Sequence, residues 1–214
     1  MTSQANEMTW EMAMATVPVR LYAGDIPPMV QYQGLVGLSE HRADERHIKH
    51  DVRRAFPIPS DSVDIFQSED VFEHILLSEL PSIFTEIWRV LKMGGLFRLS
   101  IPDYRCDMLV ARSLKDAAGR LVFDPGGGGT PEKPGHVWFP VYETVHGLVS
   151  NSHFAQGYVN FLHYYAPSGQ PVLNQIDYRF GMIKRTPDHD PRVQNPRRPM
   201  SLVVDLIKSR ALLG

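Results

Sequence analysis

SVDIFQSEDVFEHILLSELPSIFTEIWRVLKMGGLFRLSIPD, residues 62–103, is the stretch that decides the fold. It opens with Val63, Ile65 and Phe66 behind the turn-like IPSD at 58–61. A run rich in β-branched and aromatic residues, bounded by turn residues, predicts a strand over 62–68. Ile83, Phe84, Ile87, Trp88, Val90 and Leu91 then recur on one stripe, with Thr85, Glu86 and Arg89 opposite, which predicts an amphipathic helix. Pro81 suits its first turn, Lys92 its last, and Gly94–Gly95 its stop. LFRLSIP (96–102) alternates through Phe97, Leu99 and Ile101 as a second strand. Strand, helix and strand with short joints make a βαβ unit, so the sheet here is expected to be parallel with a right-handed crossover. Between the first strand and the helix stand Asp70, Glu73 and His74. A helix beginning there would carry them at i, i+3 and i+4 on one face.

Working outward, short apolar runs predict strands over 17–25, 34–39 and 47–52 upstream, with 1–16 as an N-terminal arm or peripheral helix. Downstream, a helix is expected over 104–118, strands over 158–166 and 180–184, and a strand or last helix over 201–208. DPGGGGTPEKPG (124–135) reads as a flexible linker or lid, with a phosphate cradle as the weaker alternative. Residues 185–199 carry four prolines and no periodicity. A loop that long in a compact domain is usually functional or disordered. Residues 17–214 are expected to form a single domain.

Composition narrows the classes. The formal net charge of −2 supplies no global field for nucleic acid or an anionic membrane, and no basic stripe interleaved with aromatics is present. One cysteine, Cys106, excludes an internal disulfide and a thiolate metal cluster. No run approaches the roughly 18 apolar residues of a membrane span, and the first residues lack a basic n-region with an apolar core. The expectation is a soluble, cytoplasmic protein of unspecified oligomeric state.

SVDIFQSEDVFEHI and EIWRVLKMGGLFRLSIPD resemble the class I S-adenosylmethionine-dependent methyltransferases of the type 11-like group. In that family an acidic apolar strand runs into EH, a helix ends RVLKPGG, and a strand ends in PD; here Met93 replaces the proline. The resemblance implies an α/β, Rossmann-like methyltransferase sheet, mostly parallel with an antiparallel last strand and helices on both faces. It also implies S-adenosylmethionine as cofactor. Carried over by position, the cofactor residues are Gly24 and Asp25 after the first strand, Ser39 at the end of the second, Asp51 and Val52 on the adenine side, and Glu69 and Asp70 at the cleft edge. The glycine-rich turn is degenerate: YAGDIPP offers Gly24 alone, and Ser39 stands where the family has a ribose-binding acid, with Glu40 next. About ten residues separate Gly24 from the second strand, too few for an ordinary crossover helix.

Asp70, Glu73 and His74 resemble the pattern with which some small-RNA and ubiquinone-pathway O-methyltransferases hold a divalent cation. Carboxylates and neutral imidazole suit such a cation, which can lower the pKa of a bound hydroxyl. His136, in GHVWF, is the candidate further ligand. The plainer alternative has Glu73 and His74 bracing a helix start while Asp70 favours its N-terminus. His136 and His74 are also candidate acid–base groups, since imidazole titrates near neutrality. Lys184, Arg185, Arg192, Arg197 and Arg198 gather near His189 and Asp190, suiting a phosphate or carboxylate such as a nucleotide-linked sugar, or simply pairing with the loop's own acids. Three functions follow. The first is a methyltransferase acting on a hydroxyl of a small molecule or glycan precursor, the glycan by resemblance of IKRTPDHDPR to proteins of surface-polysaccharide pathways. The second is a non-catalytic methyltransferase-like binding module; the third is a metal-assisted enzyme using Asp70, Glu73 and His74.

Overall fold

The structure, a computed structural model, describes residues 7–209. In chain order its elements are α1 (Trp10–Met14), β1 (Arg20–Ala23), β2 (Val36–Ser39), β3 (His47–Lys49), β4 (Val63–Glu69), α2 (Leu80–Val90) and β5 (Leu91–Pro102). There follow α3 (Asp107–Arg112), β6 (Leu114–Lys115), β7 (Leu121–Phe123), β8 (Gly129–Thr130), β9 (Lys133–Pro134), α4 (Tyr142–Ser150), β10 (Tyr158–Tyr165), β11 (Pro171–Leu173) and β12 (Ser201–Ile207). Eight strands form one sheet in the order β11-β10-β12-β5-β4-β1-β2-β3. β3, β2, β1, β4 and β5 run parallel, while β12, β10 and β11 are antiparallel to their neighbours. This is the expected Rossmann-like methyltransferase sheet, and SLVVDLIK supplies β12 as a strand rather than a helix. Among the described residues no helix is long and apolar enough to cross a membrane.

Register explains how the two faces differ. Leu21, Phe66, Phe97 and Leu206 lie side by side across β1, β4, β5 and β12. All four join one buried cluster with Ile83, Phe84 and Ile87 of α2, Val145 and Val149 of α4, and Ala13 of α1. The stripe read from the sequence is therefore the face α2 turns to the sheet. One pleat on, Tyr22, Gln67, Arg98 and Asp205 form the next row, and alternation sends them to the opposite face. Helical cover there is reduced to 3-10 turns at Val30–Tyr32 and Tyr178–Phe180.

The second face is covered by a strap, residues 177–189, rather than by a strand. Gln67 donates to the Met182 carbonyl at 2.5 Å, and Arg98 donates to the carbonyls of Asp177 at 3.0 Å and Gly181 at 2.6 Å. The Lys184 amide donates to Glu69 at 2.9 Å. Strap backbone groups thus find side chains as partners, which is why 180–184 is not the expected strand. Arg98 is fully buried and its other nitrogens pair with Asp205 at 2.7 Å.

Three other expectations change. The helix expected over 104–118 stops at Arg112, because Asp116 caps the amides of Ala118 and Arg120 and turns β6 into a hairpin with β7. No helix begins at Asp70. Residues Phe72–His74 make one 3-10 turn, and Glu79 precedes the true start at Leu80. The glycine run is not a free linker: β7 feeds it, and Asp124 and Gly127 within it are buried.

Candidate functional site

A cavity of about 280 Å³ opens where β1, β2 and β4 end. β2 follows β1 toward one edge of the sheet and β5 follows β4 toward the other, so the gap between β1 and β4 is the switch point at which open parallel sheets bind ligands. Gly24, Asp25, Ser39, Val52 and Asp70 all line this cavity, together with Leu38, Glu40, Arg53, Val71, His74 and Ile75. Gly24 has φ +88, and a Cβ there would stand 3.1 Å from Val71 Cγ2. Its amide donates to the Leu38 carbonyl at 2.8 Å, and the Ile26 amide donates to His47 Nε2 at 2.9 Å. These bonds fix the turn against β2 without a crossover helix.

The expected cofactor residues separate by what their polar atoms do. Ser39 Oγ accepts the amides of His41 and Arg42, so it caps a turn and does not replace the missing acid. Glu40, next to Ser39, brings a carboxylate to that strand end; it pairs with Arg53 at 2.9 Å, and Arg53 also grips both oxygens of Asp51. Asp51 borders a neighbouring depression rather than the cavity itself. Arg42 pairs with Asp25 at 3.0 Å, both side chains about half exposed. Such pairs contribute roughly 0–1 kcal/mol, so a ligand can displace the arginines. Glu69 is a correction: alternation along β4 turns it to the strap face, where it accepts from Gln67 at 2.8 Å as well as from Lys184.

A second cluster adjoins the cavity at His74. The side chains of Glu73, His74 and His136 offer ligand atoms that all lie within 4.8 Å of one another. His74 Nδ1 lies 2.9 Å from the Gly135 carbonyl, which only accepts, so this nitrogen carries the proton. His136 Nδ1 meets the Tyr104 hydroxyl, whose single hydrogen goes to Asp124 at 2.6 Å. His136 Nδ1 is therefore also a donor. Arg112 secures Asp124 through two bonds of 2.7 Å. Both Nε2 atoms are left with lone pairs. His136 Nε2 is 3.6 Å from Glu73, whose two buried oxygens have no hydrogen-bond partner.

His136, a candidate acid–base group and metal ligand from the sequence, lies in the interior. It is buried, and the ring of His136 packs so closely on Gly127 that a Cβ at that glycine would overlap it. Burial, aided by His74, pulls its pKa down to about 4, so it is neutral near pH 7. Asp70, expected among the metal ligands, stands apart from the cluster: it has φ +55 and pairs with Arg185. Burial, reinforced by Asp70, pushes the Glu73 carboxyl well above the usual range. Tyr104, Asp124 and Arg112 were not singled out from the sequence. The only signal was Asp124 at the mouth of the glycine run. Arg192 pairs with Asp190, Arg197 with Asp188 and Arg198 with Asp107, so most of the basic loop is engaged with its own acids and α3.

The sheet order and the cleft at its switch point define a methyltransferase-type Rossmann-like fold. Over residues 12–99 the chain matches the family model described as a methyltransferase domain. Among solved structures it is similar to the YcgJ protein of Bacillus subtilis, at 15% identity over 89% of this chain and 92% of that one, with a TM-score of 0.45. It is also similar to an S-adenosylmethionine-dependent methyltransferase of Thermotoga maritima described as a possible histamine N-methyltransferase, at 14% identity over 89% and 82%, TM-score 0.48. A third, an S-adenosylmethionine-dependent methyltransferase from Methanosarcina mazei, gives 11% over 89% and 92%, TM-score 0.47. No curated protein matches the chain in sequence.

Proposed function

We propose that this chain is an S-adenosylmethionine-dependent methyltransferase that methylates a hydroxyl of a small molecule or glycan precursor. The observation that carries the reading is the cleft at the ends of β1, β2 and β4, floored by a glycine at φ +88. The residues fit the cofactor by chemistry. Leu38, Val52, Val71 and Ile75 give apolar walls for a purine, Glu40 a carboxylate for ribose hydroxyls, and Asp25 one for the α-ammonium group. The volume lies near the lower end of small-molecule sites, about 300–1,000 Å³, so outward movement of Arg42 and Arg53 is part of binding.

When bound, S-adenosylmethionine supplies an activated methyl group. The chain's own task is to hold donor and acceptor in line and to take a proton from a weakly acidic hydroxyl. His74 lines the cleft, and with Nδ1 held by the Gly135 carbonyl its Nε2 is the ring atom open to take that proton. A hydroxyl must lose its proton as it is methylated, and His74 at the cleft is placed to take it.

Calorimetry with S-adenosylmethionine and S-adenosylhomocysteine tests the reading. The expected result is saturable heat with micromolar affinity and a raised melting temperature. Absence of both at millimolar ligand would leave the chain a methyltransferase-like binding module.

A further inference from the structure

We propose that Arg185, in the strap, receives an oxyanion carried by the acceptor, a carboxylate or a phosphate monoester. Unused donors are the first reason. A guanidinium carries five N–H groups in a fixed fork. Arg98, fully buried under the same strap, uses its nitrogens in four bonds to Asp205, Asp177 and Gly181. Arg192 grips both oxygens of Asp190 through Nε and Nη2. Arg185 makes one side-chain hydrogen bond among the described residues, from Nη2 to Asp70 Oδ1, and its Nε is buried with no partner. Glu73, the other carboxyl that feels its charge, forms no bond with it. The Nε–Nη2 edge, with which Arg98 and Arg192 hold their carboxylates, is thus only half used.

Tethering does not account for this arrangement. The strap is already held by Gln67 and Arg98, and Lys184, next to Arg185, is pinned to Glu69 through its amide. Position and charge point to a ligand instead. Asp70 lines the cleft, so its guanidinium partner stands just behind the cleft wall at the end of β4. The Asp70 side chain is 39% exposed and that of Arg185 only 16%. Asp70 is therefore the member able to swing into the cleft, and Arg185 the fixed one. Arg185, His74 and Lys184 all act on Asp70 electrostatically, and Arg192 feels it too. Once Asp70 turns away, this end of the strap presents a surplus of positive charge. A planar fork beside such a surplus suits a carboxylate or phosphate held by two parallel bonds. Asp70 occupies the place that this anion takes. His74 lines the same cleft as Asp70, so an acceptor anchored at Arg185 reaches the side that carries the proton-accepting imidazole.

The test is calorimetry of the full chain with inorganic phosphate, glucuronate and glucose, the last as the uncharged control. Phosphate or glucuronate is expected to bind at a single site and glucose not at all. Which anion binds more tightly tells a phosphoryl source from a carboxylate one. Arg185→Gln should weaken that binding about tenfold or more, the loss of a charge-assisted pair. Arg185→Lys keeps the charge without the fork and should fall between. Asp70→Asn removes the competing carboxylate and should tighten binding several-fold, which a purely structural ion pair would not do. Circular dichroism checks the fold of each variant. No binding of either anion to the unaltered chain or to Asp70→Asn would overturn the site. So would equal affinity in Arg185→Gln, or unchanged or weaker binding in Asp70→Asn. The acceptor role rests on the methyltransferase reading, so S-adenosylhomocysteine affinity is measured separately. Its loss in Arg185→Gln, with anion binding unchanged, would make Arg185 a cofactor residue and overturn the assignment. Its absence in the unaltered chain would remove the methyltransferase reading and leave the oxyanion site standing.

Discussion

At the residue scale the cleft turns on Gly24. Its φ of +88 lies in the region that side-chain-bearing residues avoid, and Val71 stands 3.1 Å from where a Cβ would be. A β-branched residue suffers both penalties, since αL backbone costs about 1–2 kcal/mol and the added methyls enter the cavity. Gly24→Val is expected to lower stability by about 2 kcal/mol in urea unfolding and to abolish S-adenosylhomocysteine binding in calorimetry. Asp25→Asn separates the two effects. It breaks only an exposed pair with Arg42, so stability should change by less than about 1 kcal/mol while ligand affinity falls. Equal affinity in the Asn variant would remove Asp25 from the binding set.

At the element scale the strap over the second face is the part that replaces helices. Arg98 holds it: a fully buried guanidinium spans Asp205 on β12 and two strap carbonyls. Removing the cation strands a carboxylate and two carbonyls in the interior. Arg98→Met should therefore cost about 3–5 kcal/mol in denaturant unfolding, the usual result of removing one partner of a buried pair. Asp205→Asn leaves the carbonyl bonds in place and should cost less than Arg98→Met. The strap also marks how far the sequence could be read. β4, α2 and β5 were legible because their pattern is local: a stripe at helical spacing between two alternating runs. The strap was not, because its backbone groups bond to Gln67, Glu69 and Arg98 some eighty or more residues earlier, and no periodicity records that. The site divides the same way. Glu73, His74 and His136 announce themselves by residue type, whereas Tyr104, Asp124 and Arg112 matter only through contacts between distant segments. The start of α2 falls where Pro81 marks a first turn, whereas the separate helix that would have carried Asp70, Glu73 and His74 on one face does not form. In fact Asp70 adopts φ +55 and the chain makes a single 3-10 turn before Leu80.

For the whole molecule, the sheet carries two buried ionisable groups whose effects on stability oppose one another. His163 on β10 is buried, with Nε2 donating to the Asn174 carbonyl at 3.1 Å and Nδ1 unpartnered. Burial pulls it down to about 4, although Asp188 pulls the other way. Below about pH 6.5 the unfolded chain takes up a proton there that the folded chain refuses. The His163 contribution is thus complete above pH 6.5 and is lost as pH falls toward 4. Glu69, under the strap, runs in the opposite sense. Burial pushes it up to about 7 despite the Lys184 amide, so the folded chain keeps a proton that the unfolded chain releases above pH 4.5. Its contribution is complete below pH 4.5 and is lost as pH rises to 7. Each window spans about 2.5 pH units, or at most about 3 kcal/mol at 1.36 kcal/mol per unit. Measured as stability against pH, His163→Gln should lose less than the unaltered chain on acidification from pH 7 to 4.5. Glu69→Gln should lose more over the same range, so the two variants bracket the parent curve. Variants that shift the curve in the same direction would mean that the strap and β10 do not bury these groups as the fold requires.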